Sequence, residues 1–132
     1  MKKILITRKL IESSEKNAAK LFDVKLNKED KHLTREELIK ESNGCDAILS
    51  SITDKFDNDT ISKLPKSIKI ISNFAVGFGN IDGEAAKKKN IIVTNTPDVL
   101  TDATAEIAML ILLGAARRAK EGAKWASKKN WK

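Results

Sequence analysis

A short glycine-containing segment has the residue pattern best suited to binding chemistry. Ala75-Val-Gly-Phe-Gly-Asn80 follows an apolar run and precedes Asp82, a residue type that starts helices. Glycines allow backbone N–H groups to converge on an anion, and the start of a helix adds a favourable potential. A small carboxylate suits such a loop. The two glycines also fit a tight strand-to-helix turn that binds nothing, and the spacing alone leaves both interpretations open.

This segment does not match the dinucleotide-binding fingerprint. Gly77-Phe-Gly79 begins like that motif, but Asp82 stands where the third glycine is required, and Gly83 comes one residue later. The fingerprint also follows the first strand of its own βαβ unit, with an acidic residue about 20 positions further on. Neither condition is met convincingly, so we exclude a pyrophosphate site at this loop.

Other kinds of site are excluded by residue counts and positions. Cys45 is the single cysteine and His32 the single histidine, too few for an internal disulfide or a metal-ligand cluster. A Ser-His-Asp hydrolase would depend on that one histidine, and no nucleophile elbow is present. A phospho-receiver needs acidic residues after its first and third strands. This chain has Thr7-Arg8 and Ser50-Ser51 there.

The net charge of +7 is concentrated at one end of the sequence. Residues 114–132 contain seven Lys or Arg and one Glu, so the preceding residues are close to neutral. Cations that follow a helix suit the negative end of its dipole, and a near-neutral body is not typical of a nucleic-acid groove. We therefore predict a solvated basic face and no nucleic-acid partner. No signal-peptide or membrane-span pattern is seen, so we expect a cytoplasmic location.

Short apolar runs alternate with helical patterns through the first hundred residues. The runs predict five strands, over 2–7, 22–26, 47–49, 68–71 and 91–94. The segments between them predict helices, over 12–21, 34–42, 58–64 and 82–89. Continuously apolar strands separated by helices are typical of a parallel sheet covered on both faces. The predicted fold class is α/β, a flavodoxin-like doubly wound parallel five-stranded sheet.

In such a sheet, ligands bind beyond the carboxyl ends of the strands. That rule selects four loops in this sequence, which are 7–8, 50–53, 72–80 and 95–101. The loop at 72–80 is the richest in residues suited to anion binding, because it contains both glycines described above. The sequence therefore predicts the ligand site at this edge of the sheet.

A long apolar segment follows the predicted sheet. Ala103–Ala116 reads ATAEIAMLILLGAA and would form a helix that is apolar nearly all round. A surface helix keeps one polar face, so this helix needs cover on more than one side. It is too short and too interrupted for a bilayer, which takes about 20 apolar residues. We expect its cover to come from a body of protein that residues 1–132 do not supply.

Two longer motifs resemble a known family. Ser72–Asp82 reads SNFAVGFGNID, and Ile91–Glu106 reads IIVTNTPDVLTDATAE. In this order and at this spacing they resemble the D-isomer-specific 2-hydroxyacid dehydrogenases, and the string NTPDVLTDATAE is most similar to the glyoxylate/hydroxypyruvate reductase branch. The resemblance covers essentially this whole chain but only the first portion of the family's length.

The resemblance implies roles for particular residues. Backbone at Val76 and Gly77 would hold the substrate carboxylate, and Ser50 and Ser51 would belong to the family's other substrate loop. Val76 and Thr104 match positions near the nicotinamide end of the cofactor, NAD or NADP.

Three further residues of the motif have an implied structural meaning. Asn80 and Asp82 would be turn and cap residues. Gly79 departs from the many relatives that carry a larger polar residue there, which leaves the identity of the substrate open.

The resemblance also implies a division of the molecule. Residues 1–100 would be the substrate-binding domain, and 101–132 the interdomain connector helix and the start of a Rossmann domain absent from this sequence. The apolar helix at 103–116 would pack on that domain or on a second subunit, as in a homodimer. Trp125 and Trp131 would lie against the same surface.

The implied activity is reduction of a small 2-oxo acid, glyoxylate or hydroxypyruvate, to the D-2-hydroxy acid. The family's catalytic Arg, Glu and His and its glycine fingerprint follow the region matched here. We therefore assign no catalytic residue and no metal site in this sequence, and we expect it to be inactive alone. The alternative is a stand-alone flavodoxin-like module for binding or dimerisation, without catalysis.

Overall fold

The computed structural model describes residues 1–128 as two compact units, Met1–Pro97 and a second that begins at Asp98. The predicted position of Trp131 lies outside the described residues. In chain order the elements of the described residues are β1 (Lys3–Ile6), α1 (Glu12–Leu21), β2 (Asp23–Leu26), α2 (Arg35–Glu41), β3 (Ala47–Ser51), α3 (Asn58–Lys63), β4 (Ile70–Phe74), α4 (Gly83–Lys88), β5 (Ile92–Thr94), α5 (Thr101–Ala116) and α6 (Ala119–Ser127).

The strands of the first unit form one parallel sheet in the order β2-β1-β3-β4-β5. This is the strand order of the flavodoxin-like doubly wound fold. The prediction of an α/β fold with a parallel five-stranded sheet is therefore confirmed. Because every strand runs the same way, the carboxyl ends of all five strands lie at one edge.

One face of this sheet carries the main core. Leu5 pairs with Ile48, and Ile48 pairs with Ile71, so a row of buried apolar side chains crosses the three central strands. This row packs in one cluster with side chains from α2, α3 and α4, which are Leu38, Ile61, Ala85 and Ala86. The β4 and β5 strands extend the row through Val93, which is partly buried against the cluster.

The opposite face of the sheet is covered less completely than the sequence predicts. Successive residues of a strand point to opposite faces, so Ile4, Leu49 and Ile70 share this second face. Those side chains are half-buried, and Ile92 on the edge strand is 62% exposed. Ile6, on the same face, is fully buried, so the expectation of a sheet buried on both faces is met fully on one face and in part on the other within residues 1–128.

Helix α1 accounts for part of this difference. The sequence spacing predicts Ala18, Ala19 and Leu21 as inward-facing residues and a serine cap, but α1 has no buried residue and begins after Ile11 without a side-chain cap. Leu21, its one large apolar residue, is 68% exposed. Alanines offer little area for burial, so α1 has only a weak apolar stripe with which to cover the sheet.

Three other helices begin at the residues that the sequence indicates. The Thr34 hydroxyl accepts from the Glu37 backbone N–H while the Glu37 carboxylate accepts from the Thr34 N–H, which completes a capping box. Asp57 caps α3 by accepting from the Thr60 N–H, and Asp82 caps α4. Capping is a contact within four residues of sequence, and it is therefore readable without knowledge of the fold.

Lys89 ties the end of α4 to the end of α3. Its ammonium donates to three backbone carbonyls, those of Ile61 at 3.0 Å, Ser62 at 2.9 Å and Leu64 at 2.7 Å. These carbonyls lie in the last turn of α3 or just beyond it, where helical carbonyls lack partners within the helix. The lysine therefore acts as a C-terminal cap supplied from another element.

Lys89→Met keeps most of the aliphatic stem but removes all three donors. We expect it to lower the free energy of unfolding by about 1 to 2 kcal/mol, the usual effect of leaving such groups unpaired. Urea unfolding followed by circular dichroism measures this loss. Lys88→Met, the same change at an exposed neighbouring lysine, is the matched control. Equal stability of the two variants would show that the cap contributes nothing.

The second unit contains α5 and α6. No residue of α5 is buried, and the side chains of Met109 to Leu113 are each more than half exposed. Arg118 has a φ of 51° and separates the two helices. The helix predicted near 121–129 is α6, which begins at Ala119.

Candidate functional site

The two predicted substrate segments lie side by side at the carboxyl edge of the sheet. Ser50 pairs with Asn73 and Ser51 with Phe74 in the β3–β4 register. The sequence places both serines in a loop and ends β4 at Ile71, whereas the structure makes the serines the last residues of β3 and extends β4 to Phe74. The strands continue through these polar residues because each finds a backbone partner across the ladder.

The two serines differ in what their hydroxyls contact. Ser50 is 2% exposed, and its hydroxyl donates to the Asn73 side-chain oxygen at 3.1 Å. Ser51 is half-buried, and its hydroxyl is 2.7 Å from the Thr53 hydroxyl. The Ser50 hydroxyl is therefore occupied by its hydrogen bond to β4, whereas the Ser51 hydroxyl lies nearer the protein surface.

Gly77 and Gly79 are required neither for their backbone angles nor for close packing. Neither has a positive φ, in contrast to Gly44, and a Cβ added at either would meet no heavy atom within 4 Å. The interpretation in which these glycines only allow a tight turn is therefore not supported. What they provide is open space beside the backbone, which lets another molecule approach it closely.

The loop has its Val76 and Gly77 carbonyl groups bound and several N–H groups free. The Asn95 side-chain amide donates to the Val76 carbonyl at 2.7 Å, and the Asn73 amide donates to the Gly77 carbonyl at 3.0 Å. Among residues 1–128, the backbone N–H groups from Val76 to Asn80 have no acceptor, and those of Val76 and Gly77 are the pair that the family resemblance selects. Two adjacent free N–H groups beside open space form a small anion-binding arrangement.

A cavity of about 440 Å³ lies next to this arrangement. It is lined by residues from two segments, Ile52 to Asp57 after β3 and Gly79 to Asp82 before α4. Val76 and Gly77 do not line it. The cavity therefore borders the two predicted substrate segments but is not centred on the free N–H groups.

Asp54 is a buried carboxylate that the sequence did not single out. One of its oxygens accepts from the Thr7 hydroxyl at 2.5 Å and from the Ser51 N–H at 2.9 Å. Its other oxygen is buried and has no partner among the described residues. Asp54 thereby joins the end of β1 to the end of β3. Its place in the sequence, in a loop four residues after an apolar run, gave no sign of burial.

Arg8 forms a second bridge at this edge. Its guanidinium pairs with Asp30 through hydrogen bonds of 2.8 and 3.2 Å, and also donates to the Thr53 hydroxyl at 3.0 Å. The Arg8 hydrogen bond, aided by the Lys9 backbone N–H, lowers the pKa of Asp30 from 3.8 to about 2. Asp30 has a positive φ of 52°, so the pair also holds an uncommon backbone conformation.

The Asp30 pair predicts a dependence of stability on acid. Because the folded pKa lies below the unfolded one, the stabilisation is fully present above pH 3.8 and is lost as the pH falls through about 2. We expect carboxyl-carbon NMR to give an Asp30 midpoint near 2 in the wild type and a midpoint closer to 3.8 in Arg8→Gln. An unchanged midpoint in the variant would rule out Arg8 as the cause.

Thr104 is an exposed residue of the first turn of α5, in the second unit. The structure describes that unit by itself, so the predicted nicotinamide role of Thr104 stays a prediction. Val76 belongs to the first unit and is 37% exposed. The same residue thus supplies a free N–H group and an accessible apolar side chain.

Metal and thiol chemistry find no support in the described residues. No group of three or more metal-ligating side chains occurs among residues 1–128. Cys45 is buried, and burial raises the pKa of its thiol, which disfavours the nucleophilic thiolate. Within the same residues, no helix has the length and apolarity needed to cross a membrane.

Gly79 offers a test of the open space in the loop. Since a Cβ there meets nothing and the φ is ordinary, we expect Gly79→Ala to fold normally. The unfolded chain loses freedom on this change, so the free energy of unfolding should rise by about 0.4 to 1 kcal/mol. Gly44→Ala, at a φ of 75°, should instead destabilise the chain. Destabilisation of Gly79→Ala in urea unfolding would contradict the geometry described here.

Comparison with known proteins identifies the family to which this chain belongs. The model of the D-isomer specific 2-hydroxyacid dehydrogenase catalytic domain matches residues 4–130. The glycerate dehydrogenase of Hyphomicrobium methylovorum is 42% identical over 98% of this chain and 40% of its own length. The glyoxylate reductase of Thermococcus litoralis is also 42% identical, over 98% of this chain and 39% of its own length.

A solved structure agrees with these matches. A protein of Polaromonas sp. JS6 66, assigned as an NAD-binding D-isomer specific 2-hydroxyacid dehydrogenase, superposes with a TM-score of 0.83 and 34% identity. The match covers 99% of this chain and 41% of that protein. The chain thus spans about two fifths of the length of its relatives, in agreement with the resemblance to an N-terminal portion. It belongs to the D-isomer specific 2-hydroxyacid dehydrogenase family.

Proposed function

We propose that this chain is the substrate-binding, N-terminal part of an NAD(P)-dependent oxidoreductase that reduces a small 2-oxo acid to the D-2-hydroxy acid. Glyoxylate and hydroxypyruvate are the proposed substrates. The observation that carries the proposal is the pair of free N–H groups at Val76 and Gly77 beside two glycines that nothing in the packing requires. Membership in the family and 42% identity to a glyoxylate reductase support the choice of substrate class.

The proposed roles rest on the family resemblance, and the geometry supports those of Val76, Gly77 and Ser50. The N–H groups of Val76 and Gly77 hold the carboxylate, which suits backbone donors that face open space. Ser51 borders the same substrate, and Ser50 fixes the strand end through Asn73. The Val76 side chain and Thr104 approach the nicotinamide. We propose 1–100 as the substrate domain, and 101–132 as the connector and the start of the nucleotide-binding domain.

The cofactor enters this proposal only through the family. NAD or NADP would supply or accept the hydride when bound. Residues 1–132 contain no dinucleotide fingerprint, since Asp82 replaces its third glycine. We therefore derive no catalytic step from these residues. We propose that the 132-residue chain alone transfers no hydride.

The apolar helix has a proposed partner. Leu110 and Ile111 are each 65% exposed. The neighbouring apolar residues of α5 are also more than half exposed, namely Met109, Leu112 and Leu113. Apolar patches of more than a few hundred Å² usually mark an interaction surface. We propose that α5 packs against the nucleotide-binding domain and a second subunit of a homodimer. A cytoplasmic location stays a prediction.

A chimera tests the proposed activity. In it, residues 1–130 of this chain replace the matched 39% of the Thermococcus litoralis glyoxylate reductase. We expect oxidation of NADH or NADPH that depends on glyoxylate, followed at 340 nm, from the chimera and none from the 132-residue chain. Turnover by the chain alone would overturn the proposal, as would a folded chimera that reduces no 2-oxo acid.

The exposed helix also favours a second candidate function. A stand-alone module would pair its α5 with that of a second copy and have no catalytic role. Sedimentation of the 132-residue chain separates the two functions. A stable dimer that Leu110→Lys dissociates favours the module, whereas a folded chain that forms no defined dimer favours the part of a larger enzyme.

A further inference from the structure

A chain of amide side chains connects the two segments of the candidate site. Asn73 is 1% exposed and lies at the centre of this chain. Its amide nitrogen donates to the Gly77 carbonyl and to the Asn80 side-chain oxygen, both at 3.0 Å. Its oxygen accepts from the Ser50 hydroxyl at 3.1 Å. Asn73 therefore touches the end of β3, the loop after β4 and the residue that leads into α4.

Asn80 continues this connection back to the segment after β3. Its amide nitrogen donates to the Asp54 carbonyl at 2.9 Å and to the Ser51 carbonyl at 3.2 Å. The Asp54 carboxylate in turn accepts from the Ser51 N–H. Asn80, to which the family resemblance gives only a structural role in a turn, thus holds the segment from Ser51 to Asp54.

These contacts hold the loop on both sides of the Gly77 N–H. Asn73 holds the Gly77 carbonyl, in the peptide plane that follows this N–H, and Asn73 is itself held by Ser50 and Asn80. The peptide plane that contains the Gly77 N–H is held through the Val76 carbonyl, which accepts from Asn95. Buried amides with several partners each adopt one orientation, because any rotation would leave a polar group unpaired. A rigid donor pair binds an anion more tightly than a mobile one, since less ordering is needed on binding.

We propose that Asn73 and Asn80 are positioning residues, which fix the Val76–Gly77 loop relative to the end of β3 without contacting the ligand. This inference rests on the proposed function for the identity of the ligand. Its structural part, the rigidity of the loop, is independent of any ligand. The two parts are therefore separable by experiment.

Asn80→Ala tests the proposal in the 132-residue chain. The change removes both donors and adds no charge that could repel an anion. Asn17→Ala, at an exposed asparagine of α1, is the matched control. In the absence of ligand, we expect backbone order parameters at Val76 and Gly77 of about 0.85 in the wild type and about 0.6 in Asn80→Ala. In the control Asn17→Ala they should stay at the wild-type value.

The second readout is affinity for oxamate, an isostere of 2-oxo acids that has no aldehyde to react with lysines. From amide shifts in a titration, we expect Asn80→Ala to weaken binding about tenfold, while Asn17→Ala binds like the wild type. Urea unfolding of each variant shows whether the fold is intact. If Asn80→Ala fails to fold, Ser50→Ala removes a single oxygen from the same chain of contacts and should produce the same two changes.

Each outcome decides something specific. Loop order that stays at the wild-type value overturns the positioning role, as does unchanged oxamate affinity in a variant whose loop has become mobile. A mobile loop in Asn80→Ala together with no oxamate binding by the wild type supports the positioning role and contradicts the proposed function. Lower order and weaker binding together support both.

Discussion

Gly77→Pro should weaken binding of a 2-oxo acid by about ten- to a hundredfold, whereas Gly77→Ala should bind like the wild type. Proline removes the Gly77 N–H, one of the pair proposed to bind the carboxylate, and a hydrogen bond to a charged group is worth about 1.5 to 3 kcal/mol. Alanine keeps the N–H, and its Cβ would meet no heavy atom within 4 Å. The titration with oxamate measures both affinities.

The contrast between these two variants separates backbone recognition from side-chain crowding. If the loop were only a turn, proline and alanine would have similar effects on oxamate affinity. Loss of binding in Gly77→Ala would show that space rather than the N–H limits the site. Circular dichroism of both variants confirms that the sheet is present. Acetamide, which lacks the carboxylate, should not bind the wild type.

Leu110→Lys should have the largest effect on assembly. Leu110 lies in the middle of α5 and is 65% exposed, so the substitution costs the chain itself little. An ammonium placed in an apolar interface must lose its hydration, which should weaken association by about a hundredfold or more. We expect the chimera carrying this substitution to be monomeric by sedimentation and nearly inactive with glyoxylate.

Leu21→Lys is the matched control for this prediction. Leu21 is 68% exposed on α1, so the two substitutions make the same chemical change at equal exposure. We expect the control chimera to keep its dimer and at least half of its activity. An equal loss of sheet signal, dimer and activity in both variants would show that Leu110→Lys acts on folding and not on a specific surface.

The elements that the sequence predicts well are those set by local contacts. Thr34 and Asp82 cap their helices as predicted, because a cap depends on residues within one turn. For α3 the sequence left Asp57 and Asn58 open, and the structure makes Asp57 the cap. The parallel sheet follows from the alternation of buried strands and helices, and the strand order agrees with the flavodoxin-like fold class that this alternation favours. The burial of α1 was predicted wrongly, since Ala18 and Ala19 resemble a core-facing pattern but offer little apolar area.

The candidate site was predictable in place but not in detail. The ligand edge and the two segments follow from the rule for parallel sheets, together with the family resemblance. The contacts among Ser50, Asn73 and Asn80 depend on the register of β3 against β4, which pairs Ser50 with Asn73. That register could not be predicted, because β4 was expected to end at Ile71 and the structure extends it to Phe74.

Asp54 shows a second limit of the sequence. Its carboxylate is buried between the hydroxyl of Thr7, which is 47 residues away along the chain, and the N–H of Ser51, the last residue of β3. A single aspartate among polar residues carries no periodic pattern, so burial of this kind becomes visible only once the strands are assembled.

The most direct test of the account is to map oxamate binding on the 132-residue chain by amide NMR. We expect a saturable titration in which the Val76 and Gly77 amides shift most and Ser51 shifts less, while α1 amides such as that of Lys16 stay unchanged. Saturable shifts confined to another surface, or no saturable shift at any accessible concentration, would contradict a carboxylate site formed by this loop.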